Sequence, residues 1–197
     1  ARKGFDSKKV VKMSKDDIET DWYEILQLDQ DDEATDDEIR TAYRKRCLDS
    51  HPDKQADHSD TLFKQVQRAF DILGNEEARR AFDSSRPFDD SIPAESTDVE
   101  KFYTAYGPCF DRNKKWSQDG IHTPSLGDKD TEIDTVNKFY TAWMSFKSWR
   151  DFSHEVELDE VSENMDRYER RHFQKENQKK IEKARKEEAK RVRTLVE

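Results

Sequence analysis

Two runs of the sequence set the fold. The first is Asp36-Asp37-Glu38-Ile39-Arg40-Thr41-Ala42-Tyr43-Arg44-Lys45-Arg46-Cys47-Leu48-Asp49-Ser50-His51-Pro52-Asp53-Lys54; the second is Thr61-Leu62-Phe63-Lys64-Gln65-Val66-Gln67-Arg68-Ala69-Phe70-Asp71-Ile72-Leu73-Gly74. In the first, Ile39, Ala42, Tyr43 and Cys47 stand at offsets 0, 3, 4 and 8, one face of a helix. Thr35 and Glu38 form a capping box at its start, the hydroxyl taking a first-turn amide and the carboxylate reaching back to the cap. The helix must end before Pro52, because proline disfavours helical backbone at His51. The second run carries the cleanest apolar stripe of the chain: Leu62, Phe63, Val66, Ala69, Phe70 and Leu73. Gly74 is its stop, and Asn75 caps a last short helix ending at Phe82. Two helices joined by so short a connection pack antiparallel. The loop carrying His51-Pro52-Asp53-Lys54 then projects from one end of the hairpin.

Upstream, a short helix from Trp22 to Leu26 offers Tyr23, Ile25 and Leu26 to the same core, and an acidic loop, Asp29 to Glu33, follows it. Residues 1–17 are basic and poor in apolar anchors and read as a flexible tail, leaving a four-helix domain over 18–85. Residues 86–98, with Pro87, Pro93 and several Ser and Asp, read as a linker. Residues 99–165 form an aromatic helical module that turns acidic after residue 152. Val136, Phe139, Tyr140, Trp143 and Phe146, at offsets 0, 3, 4, 7 and 10, are its expected core face. Trp149 extends that cluster, and Phe102, Tyr103 and Tyr106 are its expected partner stripe. From Asp166 to Glu197 there is neither Gly nor Pro, which predicts one charged helix of up to about 48 Å. Its apolar stripe is thin: Met165, Tyr168, Phe173, Ile181, Ala184, Val192 and Leu195. Sustained heptads are lacking, so a coiled-coil dimer is not expected and the chain reads as an all-α monomer.

The composition agrees with small cores joined to solvated segments. Of 197 residues, 32% are hydrophobic and 41% charged, against about 45–50% and about 25% in ordinary globular chains. The net charge of −9 conceals an asymmetry: residues 166–197 carry about +5 and the rest −14. That excludes a uniformly basic nucleic-acid binder and leaves a locally basic end. Cys47 and Cys109 form no CxxC pair, which excludes a disulfide framework and a structural zinc site. Asp128-Lys129-Asp130 offers too few ligands for a metal. With no 18-residue apolar run and no signal-peptide pattern, the expected compartment is cytosolic or nuclear. Ala1 in place of Met, and a helical pattern still running at Thr194 to Glu197, suggest a fragment of something longer.

These residues resemble a known family. Asp21-Trp22-Tyr23-Glu24-Ile25-Leu26 is similar to the start of a J-domain, and Ala42-Tyr43-Arg44-Lys45 to its second helix. His51-Pro52-Asp53, with Lys54 after it, is the family's signature, and Ala69 to Leu73, Arg79 and Phe82-Asp83 resemble its end. Further on, Phe102-Tyr103-x-Ala105-Tyr106-Gly107-Pro108, Pro124-Ser125-Leu126-Gly127-Asp128, Phe139-Tyr140-x-x-Trp143-x-x-Phe146-x-Ser148-Trp149-Arg150 and the helix ending Arg193-Thr194-Leu195-Val196 resemble the zuotin homology region. The resemblance covers about residues 20–197. It implies a cochaperone of the ribosome-associated complex that docks on the ATP-bound form of a 70-kDa heat-shock chaperone and speeds its ATP hydrolysis. It also implies an atypical heat-shock partner engaged by an N-terminal segment missing here. Family C-terminal helices and, in animals, DNA-binding-like repeats are missing too. At Asp49 and Ser50 the chain departs from the family pattern, which has a basic residue and an aromatic there.

The chemistry of the tripeptide fits docking better than catalysis. Asp53 offers two acceptor oxygens suited to a bidentate arginine, Pro52 lowers the entropy of presenting them, and neutral His51 both donates and accepts. His51 and Asp53 as an acid–base pair would need a desolvated cleft, which an exposed loop does not provide. Arg40, Arg44, Lys45, Arg46 and Lys54 would steer the docking toward an acidic face. The chain has five glycines and no Gly-rich phosphate loop, so it needs no cofactor and binds no nucleotide. In the last helix, Arg167, Arg170, Arg171, Lys175, Lys179, Lys180, Lys183, Arg185, Lys186, Lys190, Arg191 and Arg193 are, by resemblance, contacts to ribosomal RNA phosphates and ribosomal proteins. Read from composition alone, they suit a solvated helix with i,i+4 pairs. An alternative reading is a chromatin-associated, nucleic-acid-binding regulator that carries a J-domain.

Overall fold

The capping signals begin helices where the sequence places them. In the computed structural model, Thr35 Oγ1 accepts the Glu38 amide at 3.3 Å while Glu38 takes the Thr35 amide at 2.7 Å. Asn75 likewise accepts the Ala78 amide at 2.9 Å. The structure describes residues 11, 13–28, 34–51, 60–94, 98–118, 122–162 and 164–197. Among these, eight helices occur: α1 (Lys15–Glu19), α2 (Trp22–Leu26), α3 (Asp36–Asp49), α4 (Thr61–Leu73), α5 (Glu76–Ser85), α6 (Val99–Lys114), α7 (Ile133–Met144) and α8 (Arg167–Val196). One isolated antiparallel bridge joins Ser117 and Ser148. The class is all-α. No described helix is long and apolar enough to cross a membrane. The chain divides into two compact units between Arg86 and Pro87.

In the first unit, α2, α3 and α4 close around Tyr23, Leu26, Ile39, Val66, Ala69 and Leu73, all fully buried. Tyr43 of α3 stacks on Phe70 of α4 at 4.1 Å between ring centroids, which holds the hairpin along its length. Burial, with the neighbouring Cys47, pushes the Tyr43 phenol up to about 12. Gly74 follows α4 with φ −80, so its role is space rather than left-handed backbone. A Cβ there would lie 2.7 Å from the Phe70 carbonyl oxygen. Arg79 ties α5 to α2 and to the segment that leads into α3: its guanidinium donates to the Tyr23 hydroxyl at 2.9 Å and to the Ala34 carbonyl at 2.7 Å. Tyr23 in turn donates to Asp83 at 2.9 Å.

Two segments differ from the sequence expectation. The end of the stretch read as a tail is structured: Val11 and Met13 pack on the core, and α1 follows with a Ser14–Asp17 capping box. The reason is non-local. Asp17 is buried and bound by both arms of Arg68 from α4, at 3.0 and 2.6 Å. Trp22, absent from the expected core, is buried too and donates its indole N–H to the Asp17 carbonyl at 2.7 Å. Residues 87–93 of the expected linker belong to the packing of the second unit. Phe88 meets Trp116 edge-on at 5.2 Å, and Tyr106 donates to the Pro93 carbonyl at 3.2 Å.

In the second unit, Phe139 and Trp143 of α7 are buried against Phe110 of α6 and Val192, Leu195 and Val196 of α8. Tyr140, expected in that face, is 45% exposed, because it lies about 100° around the helix from Phe139. The buried stripe of α6 is Cys109, Phe110 and Asn113, one turn beyond the expected Phe102, Tyr103 and Tyr106, of which Tyr106 packs half-buried on the same core. The helix runs through Pro108, and the burial of Cys109 and Phe110 outweighs the lost backbone bond. Tyr168, expected in the stripe of α8, is 82% exposed. Arg150 is the polar centre of this unit. Only 4% of its side chain is exposed; it meets Asp90 at 2.7 Å, Glu155 at 3.5 Å and Glu188 at 3.8 Å. Its guanidinium lies 5.0–5.2 Å from the ring centres of Phe88, Trp116 and Phe152.

Candidate functional site

The hairpin α3–α4 positions the first candidate site. Ser50 caps α3: it is fully buried, and both its amide and its hydroxyl donate to the Arg46 carbonyl, at 2.8 and 2.6 Å. Ser50, where the resemblance implies an aromatic, therefore faces inward. Asp49 is exposed. His51 follows the cap, exposed, with its ring edge-on to Phe63 of α4 at 6.0 Å. Pro52, Asp53 and Lys54 lie outside the described residues. The site is built by chain ends: α3 delivers His51 out of a sealed cap, and Phe63 sits beside it from the opposing helix.

The cations of α3 divide between two jobs. Arg40 and Arg44, one turn apart, point to solvent, and Lys45 is exposed on the adjoining face. Arg40 pairs with Asp37 at 3.2 Å across an exposed surface, a contact of small energetic weight. Arg44 and Lys45 make no ion pair among the described residues. Arg46 is instead held in the fold, its Nε donating to the Ile25 carbonyl at 2.9 Å. The solvent-facing cations of α3 are thus Arg40, Arg44 and Lys45.

On α8 the structure sorts the twelve basic candidates. Arg171, Lys175, Lys179, Lys183, Lys186, Lys190 and Arg193 are exposed and follow one another at steps of three or four, a single outward stripe about 33 Å long. Lys179 is paired with Glu176 at 2.6 Å, and Arg193 lies 4.0 Å from Glu197. Arg167 and Arg185 are exposed off this line, and Arg185 is 3.9 Å from Asp151. Three others serve the fold. Arg191 bonds Glu188 at 2.7 Å and Asn113 at 2.7 Å and lies 3.2 Å from Asp90. Lys180 donates to the Glu157 carbonyl at 2.8 Å and to Asp159 at 3.0 Å. Arg170 reaches the Met165 carbonyl at 3.4 Å. Beside Lys180, the Asn177 amide clamps both backbone groups of Asp159 at 2.8 Å, so the acidic segment lies along the inner side of α8. The spacing of the stripe is readable in the sequence; the diversion of Lys180 and Arg191 is not, because it depends on partners 21 to 101 residues away.

No cluster of metal-ligating side chains occurs among the described residues. Comparison with known proteins places both units. Residues 21–83 match the DnaJ domain family, and residues 101–197 match the zuotin homology domain of zuotin-like proteins. The DnaJ homolog subfamily C member 2 of Danio rerio is 36% identical over 172 residues, which cover 83% of this chain and 28% of that protein. Zuotin of Schizosaccharomyces pombe is 33% identical over 182 residues, 90% of this chain and 41% of that protein. The human DnaJ homolog subfamily C member 21 is 32% identical, with 88% and 38% covered. The chain therefore spans well under half the length of the curated relatives it matches.

Proposed function

The chain belongs to the zuotin family of J-domain proteins, and on that premise we propose that it is a cochaperone that docks on the ATP-bound form of a 70-kDa heat-shock chaperone and speeds its ATP hydrolysis. The observation that carries the reading is His51, exposed at the loop end of the α3–α4 hairpin, directly before Pro52 and Asp53. Asp53 takes a bidentate arginine of the partner, His51 adds a donor and an acceptor, and Arg40, Arg44 and Lys45 bring the helix to an acidic face. The chain is an activator of its partner's ATPase and hydrolyses nothing itself. The test is nucleotide-dependent binding to a purified 70-kDa heat-shock chaperone. The chain binds the ATP-bound form, and His51→Gln loses that binding while keeping its helical content. Equal binding by the variant refutes the docking role.

The outward stripe of α8 supports the finer part of the reading, contact with ribosomal RNA phosphates while nascent chains are assisted. Sequence-blind phosphate contact is salt-sensitive, with a slope of about −0.7 to −0.9 per phosphate neutralised. Cosedimentation with ribosomes falls steeply as salt rises, and Lys175→Glu with Lys183→Glu lowers the slope by about two. A slope unchanged by these reversals removes the stripe from the ribosome contact.

A further inference from the structure

Beside α7 the cation stripe of α8 borders apolar surface that phosphate cannot use. Ile133, Tyr140 and Met144 stand at offsets 0, 7 and 11, one face of α7, and are 70%, 45% and 51% exposed. This face lies about 100° around the helix from the buried Phe139 and Trp143, so the core of the unit does not need it. Exposed large apolar residues scattered singly are ordinary; a helical row of them is the mark of a protein contact. At the Met144 end, the row opens into a cavity of about 370 Å³ between α7 and α8. Its floor is the buried Trp143 and Val192 with Phe146, and Met144, Lys186, Lys190 and Arg193 line it nearer the solvent. The floor is rigid, because Phe146 stacks on Trp143 with centroids 4.9 Å apart and planes 4° from parallel. The other end of the row has the opposite charge, with Glu132 and Asp134 flanking Ile133.

We infer that the groove between α7 and α8 receives an amphipathic helix of a protein partner, with apolar side chains on Tyr140 and Met144 and carboxylates against Lys186, Lys190 and Arg193. Charge complementarity selects the occupant: three cations on one rim and no acid opposite them within the cavity call for an acidic segment. The apolar row calls for a helix laid along α7, read at i, i+4 and i+7. This inference does not depend on the J-domain reading, since it uses only residues of the second unit.

The test uses fluorescence anisotropy of the full chain with a labelled peptide of about 16 residues, long enough to lie along α7. The peptide has leucines at helical spacing and glutamates at one end. A control peptide has the same composition in scrambled order. The patterned peptide binds saturably, weakens with salt, and binds at least about tenfold more tightly than the control. Met144→Glu and the pair Lys186→Glu with Lys190→Glu each lower its affinity by about tenfold or more, with circular dichroism unchanged, as expected for the loss of an anchor. Equal binding of the scrambled peptide, no saturation, or indifference to Met144→Glu overturns the inference. So does a mass that rises with concentration and is abolished by Met144→Glu, which would assign the groove to a second copy of the chain. An RNA oligonucleotide that loses as much affinity as the peptide on Met144→Glu would assign it to nucleic acid and overturn it equally.

Discussion

Replacing Arg68 by Met tests how α1 is held. The Asp17 carboxylate accepts both arms of Arg68, at 3.0 and 2.6 Å, as well as the Ser14 amide at 2.7 Å. The Arg68 bonds are the main reason its pKa is lowered from 3.8 to about 2, with Ser14 assisting and burial opposing. A difference of that size corresponds to about 2.5 kcal/mol between the two protonation states. The Arg68 side chain is 33% exposed, and solvent screening reduces the stabilising share to about 1–2 kcal/mol. The folded pKa is depressed, so this contribution is complete above the unfolded value near 4 and is lost as pH falls through about 2. Arg68→Met keeps most of the aliphatic stem, costs the first unit about 1–2 kcal/mol at pH 7, and lowers its melting temperature by roughly 5–15 °C. NMR titration of the Asp17 carboxyl carbon then shows a midpoint returned toward 3.8, and the stability gap between wild type and variant narrows as pH falls from 4 toward 2. Equal stability at pH 7, or an Asp17 midpoint indifferent to Arg68, refutes the reasoning.

Other expectations follow from the same geometry. Arg150→Ala removes the cation packed between Phe88, Trp116 and Phe152 and shared by Asp90, Glu155 and Glu188, and costs the second unit about 2–4 kcal/mol in urea denaturation; a cost below about 1 kcal/mol would show that the rings close over the gap and that Arg191, already paired with Asp90 and Glu188, suffices. Gly74→Ala drives a methyl group against the Phe70 carbonyl and destabilises the first unit by about 1–3 kcal/mol, whereas an unchanged melt would show that the end of α4 relaxes freely. Burial of His154 holds its pKa below 6.5 against the pull of Glu155 and Asp151. Its contribution to stability is therefore complete above pH 6.5 and lost as pH falls through the lowered folded value, and His154→Gln should flatten that acid-side decline in the second unit's urea midpoint.

Local chemistry made most of the first unit legible. The Thr35–Glu38 capping box, the stripe from Leu62 to Leu73 and the Asn75 cap all depend on residues within four positions of one another. Helix α1 has a local signal in its Ser14–Asp17 capping box, but that signal alone does not suffice. Five residues cannot hold a helix alone, and the burial of Asp17 depends on Arg68, 51 positions away. The same holds for residues 87–93, whose Pro and Asp content reads as linker. Asp90 is fixed by Arg150 and Arg191, 60 and 101 positions on. On α8 the periodicity exposes the cation stripe, but the diversion of Arg191 and Lys180 into the fold appears only once Asn113, Glu157 and Asp159 are placed beside them. In α7 the five-residue pattern spans a wider arc than the core covers, so Tyr140 falls on its rim.

We propose above that the segment after α3 drives a partner's ATPase. Single-turnover ATP hydrolysis by a 70-kDa heat-shock chaperone, with this chain and with its His51→Gln variant, tests it most directly. The chain is expected to accelerate hydrolysis and the variant to leave the unstimulated rate. Equal acceleration by both, or none by either, would contradict it.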